Sequence, residues 1–377
     1  MTRLVLDDPD RVAMINATVD AAQGALVSAE TLPNPVLQYQ REAAGGLGGR
    51  GSENFAQVQQ QLDLAGRRAL AASAARSRVA AAHGVAESER VMAVVAAGER
   101  FYAAVAAERR LALVGEFVGE LDRLEDLTAL RASAGDASRY DLERVRQEAG
   151  YGPAEIARAR SEVFSTRTAL GALLGGGGIS STAELVGELL PPEPMPSVEL
   201  VALAERGPRL AALAATAEAA EDELRAASRI IPPVTVGAGV RAVEGTGSAG
   251  LVFSVNVPLP VFDRNQGEIE RTAALASDAA ARHVLERREL LARIESLAER
   301  SRALRDAALG FRAARLDSAD ELERIAKIAY RAGEISVLEA IDALRSAHQA
   351  GLRLIDLELE ARRAHLELRT LLPEEPQ

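Results

Sequence analysis

Hydrophobic and polar positions follow two rhythms along the chain, and the rhythm changes at defined places. From Gly66 to Ser133, and again from Gln266 to Ala332, there is no proline, and Ala, Leu, Glu and Arg dominate. Each stretch is about 67 residues, roughly 100 Å if it is one helix at 1.5 Å per residue. That length suits coiled-coil hairpins better than globular helices. Gly135 and Gly333 end the long arms, and helical sequence resumes to about Leu174 and Leu372. Two shorter segments alternate instead. In the stretch 34–64, Ala56, Val58, Leu62 and Leu64 oppose Gln57, Gln59, Gln61 and Asp63, with glycines 45, 46, 48, 49 and 51 as the connection. In the stretch 232–262, Val234, Val236, Ala238, Val240 and Ala242 oppose Thr235, Gly237, Gly239 and Arg241. There the return strand sets Leu251, Phe253, Val255, Val257 and Leu259 against Ser254 and Asn256, with the turn near Gly245–Gly250. Period two is the signature of a strand with one apolar face.

The two rhythms recur at a fixed offset. Pro35 and Pro233, Gly135 and Gly333, and Ser138 and Ser336 are each 198 residues apart. The order helix, β-hairpin, long helix, glycine turn, shorter helix is written twice, an internal repeat that is a primary clue to fold. The predicted organisation is a first repeat over 1–190 (hairpin about 34–64, long helix 66–133, return helix 136–174). A second repeat follows over 191–377 (hairpin about 232–262, long helix 266–332, return helix 334–372). The two are expected to form one intertwined domain. The stretch GGGGISSTAELVGELLPPEPMPS between them reads as an irregular connector.

Composition narrows the functions open to this pattern. With 44 basic and 55 acidic residues the formal net charge is −11, and no basic footprint for nucleic acid exists. Aromatics supply 3% of the chain and Trp is absent, so Ala, Leu and Val must pack closely apposed helices. The absence of cysteine excludes disulfides, thiolate metal sites, Cys nucleophiles and lipid attachment through an N-terminal Cys. No apolar run approaches the roughly 18 residues of a transmembrane helix. The start, MTRLVLDDPDRVAM, lacks the 7–15-residue apolar stretch of a secretory signal. Judged on apolar runs alone the protein would be soluble and cytoplasmic, but a β-barrel carries no such runs.

Four strands from one chain cannot close a barrel with a wet interior, whereas three chains would supply twelve and leave no edges. An apolar outside with a Gln-, Asn- and Thr-lined inside is the pattern of a membrane barrel. The alternative for the strands is a soluble sandwich with one buried face, which has no use for 100 Å helices.

At the strand borders the sequence resembles the TolC-type outer-membrane efflux channels. The pieces are LPNPVLQYQRE, VQQQLDLAGRR, VPLPVFDRNQGEIE and the turn YRAGEISVLEAIDA, with the last helix ending in LRTLL. VPLPVFDRNQGEI is most similar to the heavy-metal cation (cobalt-zinc-cadmium type) branch, and multidrug members share similar wording. The resemblance implies a mainly α fold with a membrane β-barrel, built as a homotrimer with a twelve-stranded barrel in the outer-membrane lipid and an α-helical tunnel crossing the periplasm. It implies a periplasmic adaptor (membrane fusion) protein and an inner-membrane efflux pump as partners, and no cofactor. Against that expectation the chain has no signal peptide at its start, so either the precursor is trimmed or export is unexplained.

A channel has no catalytic centre, and no convergent nucleophile, base or metal set points to an enzyme. Glu339 and Asp342, at i, i+3 spacing after the Gly333 turn, share one helix face. They align with the family's acidic gate pair, and in a trimer they would form two stacked carboxylate rings. The other reading is an ordinary solvated helix face. Asp141 and Arg144 occupy the equivalent places in the first repeat, where charge partly cancels. The turns Ala134-Gly135-Asp136 and Ala332-Gly333-Glu334 would be the periplasmic tips that meet the adaptor, or each glycine serves as a C-cap only. Arg131, Arg139 and Arg331 stand ready to pair with those acids or the adaptor. His83, His283, His348 and His365 are scattered, and Met14, Met92 and Met195 form no soft-metal cluster. The glycine run 175–178 lacks the Lys-Ser/Thr of a P-loop. Asp263 or Asn265 could cap the second long helix. The expected function is a passive exit duct of a tripartite efflux system, with a multidrug or type I secretion duct, or a soluble coiled-coil scaffold, as alternatives.

Overall fold

The computed structural model describes residues 2–46, 49–174, 183–244 and 247–373. Gly48, Gly245 and the glycine run 175–178 lie outside the described residues. In chain order the elements are α1 Thr2–Leu6, α2 Pro9–Glu30, β1 Val36–Gly46, β2 Gly49–Leu62, α3 Arg67–Ala134, α4 Arg139–Ala149 and α5 Gly152–Leu173. There follow α6 Ser197–Glu205, α7 Pro208–Ala227, β3 Val234–Val243, β4 Ser248–Asn256, α8 Gln266–Phe311, α9 Asp317–Ala332 and α10 Val337–Arg369. A π turn, Arg312–Leu316, joins α8 to α9.

The chain divides into two compact units, and each draws on both sequence repeats. The strand-bearing unit is Ile15–Glu87 with Pro208–Arg287. Its sheet is antiparallel in the order β1-β2-β3-β4, so β1 and β4 are edges with no partner strand among the described residues. The register puts Leu37, Val58, Ala238 and Phe253 in one row across all four strands, and Tyr39, Ala56, Val240 and Leu251 in the next on the same face. Both strand-to-helix junctions need a positive φ, supplied by Gly66 at 72° and by Asn265 at 65°. Asn is the side chain that best tolerates this region, and the Asn265 side-chain amide also donates to the Ala227 carbonyl at 2.8 Å. Small residues then let the helices approach. Ile15 and Val19 pack on Ala82 and Ala86, and a Cβ at Gly84 would lie 2.6 Å from the Pro208 carbonyl oxygen.

The second unit is Met1–Met14, Ser88–Gly207 and Arg288–Gln377. Ala97, Ala104, Ala106 and Ala107 are fully buried along α3, as a closely packed alanine-rich bundle requires. The return arm expected as one helix over 136–174 is two, α4 and α5. Gly150 and Gly152 with Pro153 at the start of α5 interrupt it, since proline fits a first helical turn but not an interior. The arm expected over 266–332 likewise carries the π turn, which adds a wider backbone ring to an α-helix without ending it.

The connector from residue 183 to the start of α6 has no regular secondary structure, so its carbonyls lack ladder partners, and arginines supply them. Arg362, buried on α10, donates to the carbonyls of Glu188, Leu189 and Leu190 at 2.6–2.9 Å and lies 4.3 Å from the Tyr102 ring centroid. Arg109 reaches Gly187, Arg167 reaches Ala183 and Arg305 reaches Pro191. Leu189 is fully buried among Val105, Ala106, Ile355 and Leu359.

Candidate functional site

On the sheet the two faces differ in chemistry. Leu37, Leu251 and Phe253 on the apolar face are 73%, 77% and 78% exposed, and Val58, Val240 and Val255 are exposed beside them. Nothing among the described residues covers this face. The opposite face is a glutamine ladder. Gln57 and Gln59 both donate to the Gln38 side-chain oxygen at 2.8 Å, and the Ser254 hydroxyl donates to Gln57 Oε1 at 3.1 Å. Gln57 is only 5% exposed because its side chain lies over Gly237 and Gly239. A Cβ at Gly239 would overlap the Ala56 carbonyl oxygen and Gln57 Cβ, so glycine here makes room for the ladder. Arg241 pairs with Glu53 on the same face. Of the aromatics, Tyr39, Phe253 and Phe262 lie on the apolar side or its border, whereas Phe55 shares the face of Arg241.

The turns that end α3 and α9 are built alike. Gly135 (φ 85°) and Gly333 (φ 79°) are left-handed caps. Asp136 N donates to Arg131 O and Gly135 N to Ala132 O. In the second turn Glu334 N donates to Ala329 O and Gly333 N to Tyr330 O. Both are Schellman motifs. Each following helix opens on a capping box, Ser138 with Asp141 and Ser336 with Glu339. The Glu339 carboxylate accepts from the Ser336 backbone N–H at 2.7 Å and its hydroxyl at 2.8 Å, which holds its pKa below the ordinary 4.5. This role was readable in the sequence as S-x-x-E, a signal the spacing argument passed over. Asp342 is exposed one turn on and makes no ion pair among the described residues. Its neighbour Arg345 pairs with Glu148 at 2.5 Å instead.

The six turn residues Ala134, Gly135, Asp136, Ala332, Gly333 and Glu334 are all exposed. Of the nearby arginines, Arg139 and Arg331 are exposed and make no ion pair among the described residues, whereas Arg131 is committed. Arg131 Nη1 donates to the Tyr330 carbonyl at 2.6 Å, its guanidinium lies 4.9 Å from the Tyr330 ring centroid, and Nη2 is 3.3 Å from where a Gly333 Cβ would sit. Beneath it the Tyr330 hydroxyl bonds Thr128 at 2.7 Å, in a core of Leu121, Leu124, Val145, Val337, Ile341 and Leu344. Sequence reasoning missed Tyr330, Thr128 and Arg362. Among the described residues, no three His, Asp or Glu side chains are placed to hold a metal ion.

Comparison with known proteins bears on both regions. No protein-family model matches the chain. Over 346 residues it is 28% identical to the cobalt-zinc-cadmium resistance protein CzcC of Cupriavidus metallidurans, covering 89% of this chain and 80% of that protein. Solved structures match almost end to end. CusC, described for its folding and transmembrane channel formation, superposes with a TM-score of 0.82 at 17% identity, covering 99% of this chain and 91% of that one. The open-state MtrE outer membrane channel of Neisseria gonorrhoeae gives 0.81 at 16% identity, covering 98% and 87%. The VceC outer membrane protein of Vibrio cholerae gives 0.77 at 18% identity, covering 98% and 93%. Its fold is that of the TolC-type outer-membrane efflux channels. No helix here is long and apolar enough to cross a membrane. That observation concerns helices and says nothing of strands, whose apolar positions alternate along the sheet.

Proposed function

We propose that three copies of this chain close a twelve-stranded barrel and form the passive exit duct of a tripartite efflux system. The duct carries cations, heavy-metal ions foremost, delivered by an inner-membrane pump through a periplasmic adaptor. The observation that carries this reading is the two-faced sheet, apolar and bare on one side and glutamine-lined on the other. Its open edges favour closure with further copies. The likeness to a cobalt-zinc-cadmium resistance protein supports the choice of cargo.

In this reading Glu339 and Asp342 line the lumen as acidic rings that attract cations. The exposed turns Ala134-Gly135-Asp136 and Ala332-Gly333-Glu334 meet the adaptor, and the free Arg139 and Arg331 flank that contact. The test is conductance of the purified trimer in planar bilayers. Asp342→Asn with Glu339→Gln is expected to lower cation selectivity and block by multivalent cations; unchanged traces would remove the rings from the lumen. Protein that stays a monodisperse monomer without detergent would defeat the channel itself.

A second reading is a duct for drugs or secreted protein, since the fold is shared with channels at 16–18% identity and the likeness to a cobalt-zinc-cadmium resistance protein is 28%. Cobalt, zinc and cadmium tolerance measured beside drug tolerance, in cells deleted for their own duct, separates the two.

A further inference from the structure

In the helical unit, α3, α9 and α10 together line a cavity of about 580 Å³. Small-molecule pockets span about 300–1,000 Å³, so this one is large enough to hold a ligand. Between α3 and α10 the packing is tight: a Cβ at Gly351 would lie 2.7 Å from Leu113 Cδ2. The third element, α9, contributes Asp320, Glu323 and Lys327, which follow closely on the π turn Arg312–Leu316. Such turns widen a helix locally and are frequent at functional sites.

The lining divides by chemistry. Leu113, Phe117, Leu344 and Leu354 make part of it apolar, and four carboxylates stand there against two cations. Both cations are already committed. Lys327 pairs with Glu120 at 2.9 Å and with Glu323 at 2.6 Å. Arg109 lies 3.4 Å from the Glu358 carboxylate and donates to the Gly187 carbonyl at 3.1 Å. Glu116, by contrast, is exposed and makes no ion pair among the described residues. His348, also in the lining, keeps Nδ1 buried without a hydrogen-bond partner among the described residues. A buried polar atom is normally met by protein, water or a ligand.

These features select the occupant. An excess of carboxylates disfavours an anion. A bare metal ion would need several ligands at once, and among the described residues no three His, Asp or Glu side chains are placed to supply them. The cation that suits the cavity is one that brings its own apolar body.

We propose that this cavity binds a small protonated amine carrying an apolar ring, with the ammonium on Glu116 and the ring against Leu113, Phe117 and Leu354. The site is built inside a single copy, so it stands apart from the channel reading and from the pair Glu339 and Asp342. An occupant would brace α9 just past its π turn.

Dansylcadaverine is the probe, a protonated amine on a dansyl ring whose emission brightens and shifts to the blue in apolar surroundings. Dansylglycine carries the same ring on a carboxylate, and dansylamide carries it without charge. The full chain, purified in detergent, is expected to give a saturable enhancement with dansylcadaverine at one site per chain, and little with the other two. Glu116→Gln should weaken binding about fivefold, the size of one exposed ion pair. Ala112→Phe, which adds bulk at an exposed lining position, should abolish it. Circular dichroism establishes that each variant is folded; if Ala112→Phe is not, Glu116→Gln decides alone. Equal enhancement by all three probes, or a Glu116→Gln titration that matches the wild type, means that the ring enters detergent or another surface and overturns the site. Absence of enhancement by any probe also overturns it, since water or another copy then fills the cavity. Neither result touches the channel reading, which conductance tests separately.

Discussion

Arg131 on α3 and Tyr330 on α9 are joined twice. The guanidinium donates to the Tyr330 carbonyl at 2.6 Å and also stacks over its ring at 4.9 Å. The contact ties the last turn of one repeat to the last turn of the other, 199 residues away. Arg131→Ala is expected to cost about 1–3 kcal/mol of local stability, the range for a charged hydrogen bond. Amide exchange should accelerate in 329–335 as well as 131–136, and equal protection in the wild type and Arg131→Ala would show the contact to be idle.

The capping boxes make a paired prediction. Ser138→Ala and Ser336→Ala should each weaken the following helix by about 1 kcal/mol, the usual value of a lost N-cap, read as local amide exchange. Glu339 adds a pH dependence, because the Ser336 N–H and hydroxyl lower its pKa from 4.5. A depressed carboxyl stabilises the fold above its unfolded pKa. That contribution fades as pH falls through the folded value, so the start of α10 should fray below about pH 4.5. Glu339→Gln keeps an acceptor and should flatten the dependence.

His348 titrates in the opposite sense. It stacks on Phe117 with ring centroids 4.5 Å apart, and burial pushes its pKa below the ordinary 6.5, against the opposing pull of Glu155 and the Leu113 backbone. Folding therefore favours the neutral ring. Stability is full above pH 6.5 and declines as acid forces protonation. The thermal midpoint of the wild type should fall between pH 7.5 and 5, and His348→Phe, which keeps the stack, should fall less.

The glycines under the glutamine ladder set a steric prediction. Gly239→Val places a branched side chain where Ala56 O and Gln57 already sit. Overpacking of this kind costs about 1–3 kcal/mol, and here it should reduce the yield of folded trimer on a heated gel. Gly250→Val, with open space around its Cβ, is the control that should assemble normally.

Arg362→Ala removes the three hydrogen bonds that reach the carbonyls of Glu188, Leu189 and Leu190. Limited proteolysis should then cut within 183–190 faster than in the wild type. Lysine cannot reach three carbonyls in one plane, so Arg362→Lys should rescue poorly.

The strands, the long arms and the 198-residue offset were legible because periodicity is a local property of neighbouring residues. The matching geometry of Gly135 and Gly333, Ser138 and Ser336, and Asp141 and Glu339 follows from cap chemistry confined to a few positions. The break at Gly150–Pro153 was written in plain turn residues and passed over in favour of a long helix. The π turn has no comparable signature, because Arg312 through Leu316 are ordinary helix formers. Arg362 was opaque for another reason. Its partners lie more than 170 residues away, and nothing in a run of Ala, Leu and Arg says which guanidinium faces a naked carbonyl.

A single folded copy is a hazardous object. Among the described residues, strands β1 and β4 each present a row of backbone donors and acceptors with no partner strand, beside an exposed apolar face. Such a protomer would stick to any exposed strand it met. For the proposed duct, assembly is then a race between ring closure and precipitation, and the time each copy spends alone decides how much of the protein is ever useful.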